Sequence, residues 1–397
     1  MKTRHLFLLA MLPLLLAGCR EKESLVDGYD GASSDYYGSK GGAEGWMDGG
    51  SPSGNGAQEG GLSGQVTAGE WRDLDHWNFW GNLLNNRDYY TYTDNWSFYT
   101  NHRVAVRVTH AGQPVCAAQV QLLSGGSAVW SAVTDNQGEC NLWYSLYQNV
   151  SEVPNLAVSI DGQQQGGVPQ VTAWNSTEVL WNEYEADANS RTGTDIAFIV
   201  DATGSMTDEI DFLKADLLDI VGGIEQQAGV RTATLFYRDE GDEYVTRFSN
   251  FTASPAVTAT FINQQEADGG GDWPEAVHTA FERSLQDLSW NESARIKIAF
   301  WLLDAPPHRE NQIISSIQQS LKMYAAKGIR VIPIAASGID KETEIVLRNY
   351  AIATDGTYVF ITNDSGVGDE HIEASVGEYE VELLRDLMIR LINEYTR

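Results

Sequence analysis

The chain has 397 residues, 55 of them Asp or Glu against 26 Lys or Arg, for a formal net charge of −29. A surface of that sign repels phosphate backbones, which argues against nucleic acid as a partner, while it attracts cations and favours solubility. The length allows a leader, a tether and two cores of ordinary domain size.

Residues 1–18, MKTRHLFLLAMLPLLLAG, place Lys2 and Arg4 ahead of a short apolar stretch. That is the pattern of a secretion signal, too short for a mature membrane-spanning helix. The run Leu16-Ala17-Gly18-Cys19 resembles the lipobox of bacterial lipoproteins. The resemblance implies cleavage before Cys19, a diacylglycerol on its sulfur, and membrane attachment through that lipid alone. Arg20 in place of an aspartate implies the cell outer membrane, facing either the periplasm or the exterior. An ordinary signal peptide with a chance cysteine is the alternative. With Cys19 acylated, Cys116 and Cys140 remain, and an oxidising compartment predicts a disulfide between them.

Residues 19–65 are rich in Gly, Ser and Asp, with apolar residues too sparse to offset the entropy of ordering, and are predicted to be a tether. Residues 66–102 form a Trp-rich connecting segment containing Trp71, Trp77, Phe79, Trp80 and Leu83. Aromatics this dense either pack on a neighbouring domain or present a carbohydrate platform.

In residues 103–185, Val104, Val106 and Val108 alternate with Arg103, Ala105 and Arg107, and turn residues recur at HAGQP, SGG, DNQG and DGQQQG. Short alternating strands at that spacing predict a small antiparallel β-sandwich. The segments GQPVCAAQVQLL and AVTDNQGECNLW resemble carboxypeptidase-regulatory-like and bacterial Ig-like modules. That resemblance implies a spacer or docking role and brings Cys116 and Cys140 near each other.

From residue 192 to 397 the pattern changes to alternating strands and helices. DIAFIV, TATLFY, IKIAFWLL and IRVIPIAA are continuous apolar runs of strand length, as in a parallel sheet covered on both faces. Between them Ile210, Leu213, Leu217, Ile220 and Ile224 recur at helical spacing. The order predicts an α/β, Rossmann-like domain with a mostly parallel sheet, whose ligands bind at the carboxyl ends of the strands.

At one of those ends stands DATGSM, residues 201–206. Asp201, Thr203 and Ser205 lie at alternate positions, so an extended turn can aim three hard oxygen donors at one point, a set suited to Mg²⁺, Mn²⁺ or Ca²⁺. Further acids follow other strands or precede a helix: Asp239 in YRDEGDE, Asp272 in GGGDWPE and Asp304 in DAPPH. Crowded carboxylates repel strongly without a cation. Asp272 has a second reading, as the cap of the next helix with Glu275 completing a capping box. His308 and Arg309 either contact a ligand at the rim or open the next helix, and Asp208 and Glu209 favour a helix N-terminus through its dipole. No His-Glu-x-x-His or Gly-Lys-Ser/Thr motif occurs.

DIAFIVDATGSM, YRDEGDE, GGGDWPEAV and LLDAPPH, in that order, resemble a von Willebrand factor type A domain over residues 192–397. DATGS resembles the Asp-x-Ser-x-Ser motif of the metal-ion-dependent adhesion site, with Thr203 in place of the first serine. The resemblance implies Mg²⁺ bound directly by Thr203 and Ser205, with Asp201 and Asp304 acting directly or through water, and puts Asp272 where the family usually supplies a threonine; Asp239 and His308 are candidates for the rim of the site. It further implies a non-catalytic protein that binds a protein ligand. A metal-dependent hydrolase using the Asp cluster is the alternative, as is a structural lipoprotein whose metal only rigidifies loops.

Overall fold

The computed structural model describes residues 64–224, 229–366 and 371–397. The leader, Cys19 and the predicted tether up to residue 63 lie outside the described residues. The described residues form one compact unit.

The described chain enters through β1 (Thr67–Trp71), α1 (Trp77–Leu84) and α2 (Arg87–Asn95). Eight strands follow: β2 (Arg103–His110), β3 (Gln113–Pro114), β4 (Gln119–Ser124), β5 (Ser127–Val133), β6 (Glu139–Trp143), β7 (Leu156–Ile160), β8 (Gln163–Gln164) and β9 (Trp181–Glu185). They make two sheets, one of β3, β2, β6 and β9, the other in the order β5-β4-β7-β8. The inward valines of β2 meet Val120 and Leu122 of β4 in one apolar core. All pairings are antiparallel except β9, which runs parallel to β2, against the expectation of a purely antiparallel sandwich. Residues 165–180 carry the chain from β8 across to the other sheet, so it re-enters beside β2 in the same direction.

The rest alternates: β10 (Thr194–Asp201), α3 (Ile210–Ile224), β11 (Val230–Tyr237), β12 (Thr246–Thr252), α4 (Pro255–Asn263) and α5 (Val277–Gln286). Then come β13 (Ile296–Leu303), α6 (Asn311–Lys327), β14 (Ile329–Ala335), α7 (Lys341–Thr354), β15 (Tyr358–Ile361), β16 (Glu382–Leu383) and α8 (Leu384–Thr396). β10 and β13 are buried at every residue, because both faces of the sheet are covered. Ile196, Phe198 and Val200 face α3 and α8, while Ala197 and Ile199 join the core shared with α5, α6 and the sandwich strands.

The sheet runs β12-β11-β10-β13-β14-β15-β1-β16, with β11 to β15 mutually parallel and the outer strands antiparallel. From β10 the chain moves to one side to make β11, then crosses to the other side to make β13. The carboxyl ends of β10 and β13 therefore flank the point where the winding reverses, the place where such sheets leave a crevice.

β1 belongs to this sheet although it precedes the sandwich in sequence. It pairs with β15 from Ala68↔Ile361 to Trp71↔Tyr358 and carries β16 on its other edge. Trp71, Trp77 and Trp80 are buried, with the Trp77 and Trp80 indoles donating to Ala173 O and Thr100 Oγ1 at 2.9 Å. For these three the packing alternative holds, and the platform does not.

Cys116 and Cys140 are free thiols, which corrects the predicted disulfide. Cys140 belongs to the core shared with the sandwich, whereas Cys116 packs against the cluster on the opposite face of the large sheet, near Arg295 and Arg330. The two segments that carry them are close in the fold, but their sulfurs face different cores. In a chain with Cys19 replaced, unreduced protein unfolded in guanidinium is expected to show both thiols to Ellman's reagent. The native protein should shield Cys140, whose thiol burial pushes up.

Candidate metal centre

Asp201 is the last residue of β10 and is fully buried. The chain then turns through Ala202 and Thr203 into a 3-10 turn, Gly204–Asp208, before α3 begins. Asp201 Oδ1 accepts from Thr203 N at 2.9 Å and from Thr203 Oγ1 at 2.7 Å. Thr203 Oγ1 lies 3.1 Å from Ser205 Oγ. The alternate spacing in DATGS therefore lines up three side-chain oxygens in a chain of short contacts.

Asp304 is the first residue after β13, and its carboxyl stands close enough to the Ser205 hydroxyl and to Asp201 for each to act on its charge. Asp201 Oδ2 and Asp304 Oδ1 are buried without a close hydrogen-bond partner, with the Tyr237 hydroxyl beside Asp201. Burial raises the pKa of both carboxyls, and their mutual repulsion adds to it for Asp304.

Glu275 joins this group, and sequence reasoning missed it by assigning it to a capping box. The cap does not form: α5 is capped by Ala276 with no side-chain hydrogen bond, because Glu275 N donates to Pro306 O at 2.9 Å and the loop is held across to the end of β13. The Glu275 carboxyl is 3% exposed, and its Oε2 has no partner. Burial first, then the charges of Asp201, Asp239, Asp304 and Asp242, push its pKa up to about 9. The available signal was an acid three residues after Asp272 in a loop already rich in glycine.

Asp272 takes a different position from the one the family resemblance implies. It is exposed, and it offers an oxygen to a group with Asp239 and His308 whose ligand atoms lie within 4.8 Å of one another. His308 Nε2 lies 3.2 Å from Asp239 Oδ1. Asp242 clamps the two loops involved, its Oδ2 accepting from Asp239 N at 3.1 Å and from Gly270 N at 2.9 Å. Gly270 sits at φ +75°, and a Cβ there would come within 3.1 Å of Glu275 Oε1 and 3.3 Å of Thr203, so the glycine run allows this loop to close on β10.

Arg309 pairs with Glu342 at 3.0 Å, away from both groups. Glu209 opens α3, its carbonyl accepting from Leu213 N at 2.9 Å, and its side chain has partners outside the helix. It is buried, accepting from Ser337 N at 3.1 Å and lying 3.2 Å from His371 Nε2, because the turn after Ser205 directs it across to the end of β14. Arg238, beside Asp239, donates to Ala202 O and Glu266 O at 3.0 and 2.8 Å.

Among the described residues no Lys or Arg forms an ion pair with Asp201, Glu275 or Asp304. Three buried carboxyls with orphaned oxygens, beside two hydroxyls, fit a hard divalent cation in donor type and in charge. Asp201, Thr203, Ser205 and Asp304 would hold it, with Glu275 adjacent.

No protein-family model matches the chain. A stretch of 118 residues is 36% identical to an ariadne-like RING finger protein of Acanthamoeba polyphaga mimivirus, covering 30% of this chain and only 11% of that relative's length. Among solved structures, proximal thread matrix protein 1 of the mussel byssus, with zinc in a metal-ion-dependent adhesion site, is similar at 17% identity and a TM-score of 0.33 over 39% of each chain. A likeness of that score decides neither fold nor function.

Proposed function

We propose that this chain is a lipid-anchored envelope protein whose α/β portion is of the von Willebrand A type and binds a protein ligand through a divalent cation. The observation that carries the reading is the meeting of Asp201, Thr203 and Ser205 with Asp304 at the reversal point of the sheet, with carboxylate oxygens left unpaired. A cation there would offer a coordination position to a carboxylate of the partner, and its charge would decide affinity. The cation of this reading is Mg²⁺, with Mn²⁺ or Ca²⁺ as substitutes. Cys19 supplies the anchor to the outer membrane, and the chain carries out no catalysis.

The test is capture of envelope proteins on immobilised chain in Mg²⁺ and in chelator. A partner retained in Mg²⁺ should be lost in chelator and on Asp201→Ala protein. Equal capture in all three would end the metal-centred reading.

The hydrolase alternative gains one observation, the buried Glu275 carboxyl with its unpartnered Oε2 beside the candidate cation, a group that could act as general acid or base. Metal-dependent turnover of p-nitrophenyl phosphate that Glu275→Gln removes would favour it.

A further inference from the structure

We infer that this rim holds a second cation, in a site made by Asp239, Asp272 and His308, distinct from the one proposed at Asp201 and selective for a borderline transition metal. The three residues come from three separate loops, after β11, before α5 and after β13, and each delivers a ligand atom to within 4.8 Å of the others. Nothing in the local sequence requires that convergence. Asp239 is 6% exposed, so its charge is largely withdrawn from water.

An ion pair between His308 and Asp239 accounts for two of these residues. It leaves Asp272 unexplained, together with the buried and unpartnered Oε2 of Glu275. Glu275 has Asp201 and Asp304 among its charged neighbours, and also Asp239 and Asp242, so it feels the carboxylates of both groups. A second cation beside Asp239 and Asp272 would answer for the unpartnered Oε2 of Glu275, which the ion pair leaves unexplained. Asp242 fixes Asp239 and Gly270 by their backbone amides, which pre-sets the loops without taking a ligand atom from the group.

The two sites differ in donor chemistry. The Asp201 group presents only oxygen, which suits Mg²⁺. The second group adds an imidazole nitrogen, which suits Zn²⁺, Co²⁺ or Mn²⁺ and binds Mg²⁺ poorly.

The experiment is titration of chelator-stripped mature chain, Cys19 replaced by Ser, with Co²⁺ in saturating Mg²⁺, read by calorimetry and by the visible absorption of protein-bound Co²⁺. One Co²⁺ should bind without displacing Mg²⁺. His308→Ala and Asp272→Asn, both at partly or fully exposed positions, should each weaken Co²⁺ about tenfold or more while leaving Mg²⁺ binding and the melting temperature unchanged. Asp304→Asn should do the reverse. Competition of Co²⁺ and Mg²⁺ for a single site overturns the inference, as does Co²⁺ binding indifferent to both His308→Ala and Asp272→Asn. Co²⁺ binding that depends on His308, in a chain that binds no Mg²⁺, sinks the adhesion reading and leaves this inference standing.

Discussion

Replacing Arg348 by Leu is expected to cost about 3–5 kcal/mol of stability, read as a shift of the denaturant midpoint, because it strands a buried carboxylate. Arg348 on α7 is fully buried. Its Nε and Nη2 donate to the two oxygens of Asp73 at 2.8 and 2.6 Å, and its Nη1 donates to Ser375 O at 2.7 Å. The guanidinium also lies over the Trp80 ring, 5.3 Å from its centre. Asp73 follows β1, so this fork ties the segment ahead of the sandwich to a helix 275 residues later and to the strap before β16. Lysine at 348 is not expected to rescue, since a point charge cannot make the paired bonds. The double replacement Asp73→Leu with Arg348→Leu should recover part of the loss, because Asp73 goes with its partner and the buried Glu344, 3.5 Å from Arg348, keeps Lys341 at 3.1 Å. A loss below about 1 kcal/mol for Arg348→Leu would show that the segment is held by its tryptophans instead.

Metal-free protein should lose stability as pH rises from about 5 to 9, and Mg²⁺ should flatten that slope. The sign is set by Glu275. Its folded pKa of about 9 stands above its usual 4.5, so between those values the native state binds more protons than the unfolded chain and stability falls with pH. The raised carboxyls of Asp201 and Asp304 act in the same direction. A cation at 100 times its dissociation constant adds about 2.7 kcal/mol. Asp304→Asn should abolish that gain and yet make the chelated protein about 1–3 kcal/mol more stable at pH 8, since it removes one of the crowded charges. Glu275→Gln should make the chelated protein more stable at pH 7 and reduce the pH slope, because the unfolded wild-type chain is ionised there and must take up a proton to fold, whereas glutamine is neutral in both states. Thermal melts with and without chelator measure each. A slope of the opposite sign, or an Asp304→Asn protein that still gains stability from Mg²⁺, would refute this account of the cluster.

Local pattern carried a large part of this molecule. The apolar runs of β10, β13 and β14 marked central parallel strands, since only strands covered on both faces remain apolar at every position. The placing of Asp201, Thr203 and Ser205 in one turn likewise comes from three closely spaced positions and the strand before them. What neighbours cannot encode is which distant segment arrives alongside. β1 between β15 and β16, the Asp73–Arg348 fork, the packing of Cys116 and Cys140 in different apolar clusters, the inward turn of Glu275 and the association of Asp272 with Asp239 and His308 all arise from contacts between remote parts of the chain. Each is selected by packing of the whole sheet and its loops, where burial and loop closure outweigh the preference of any short stretch.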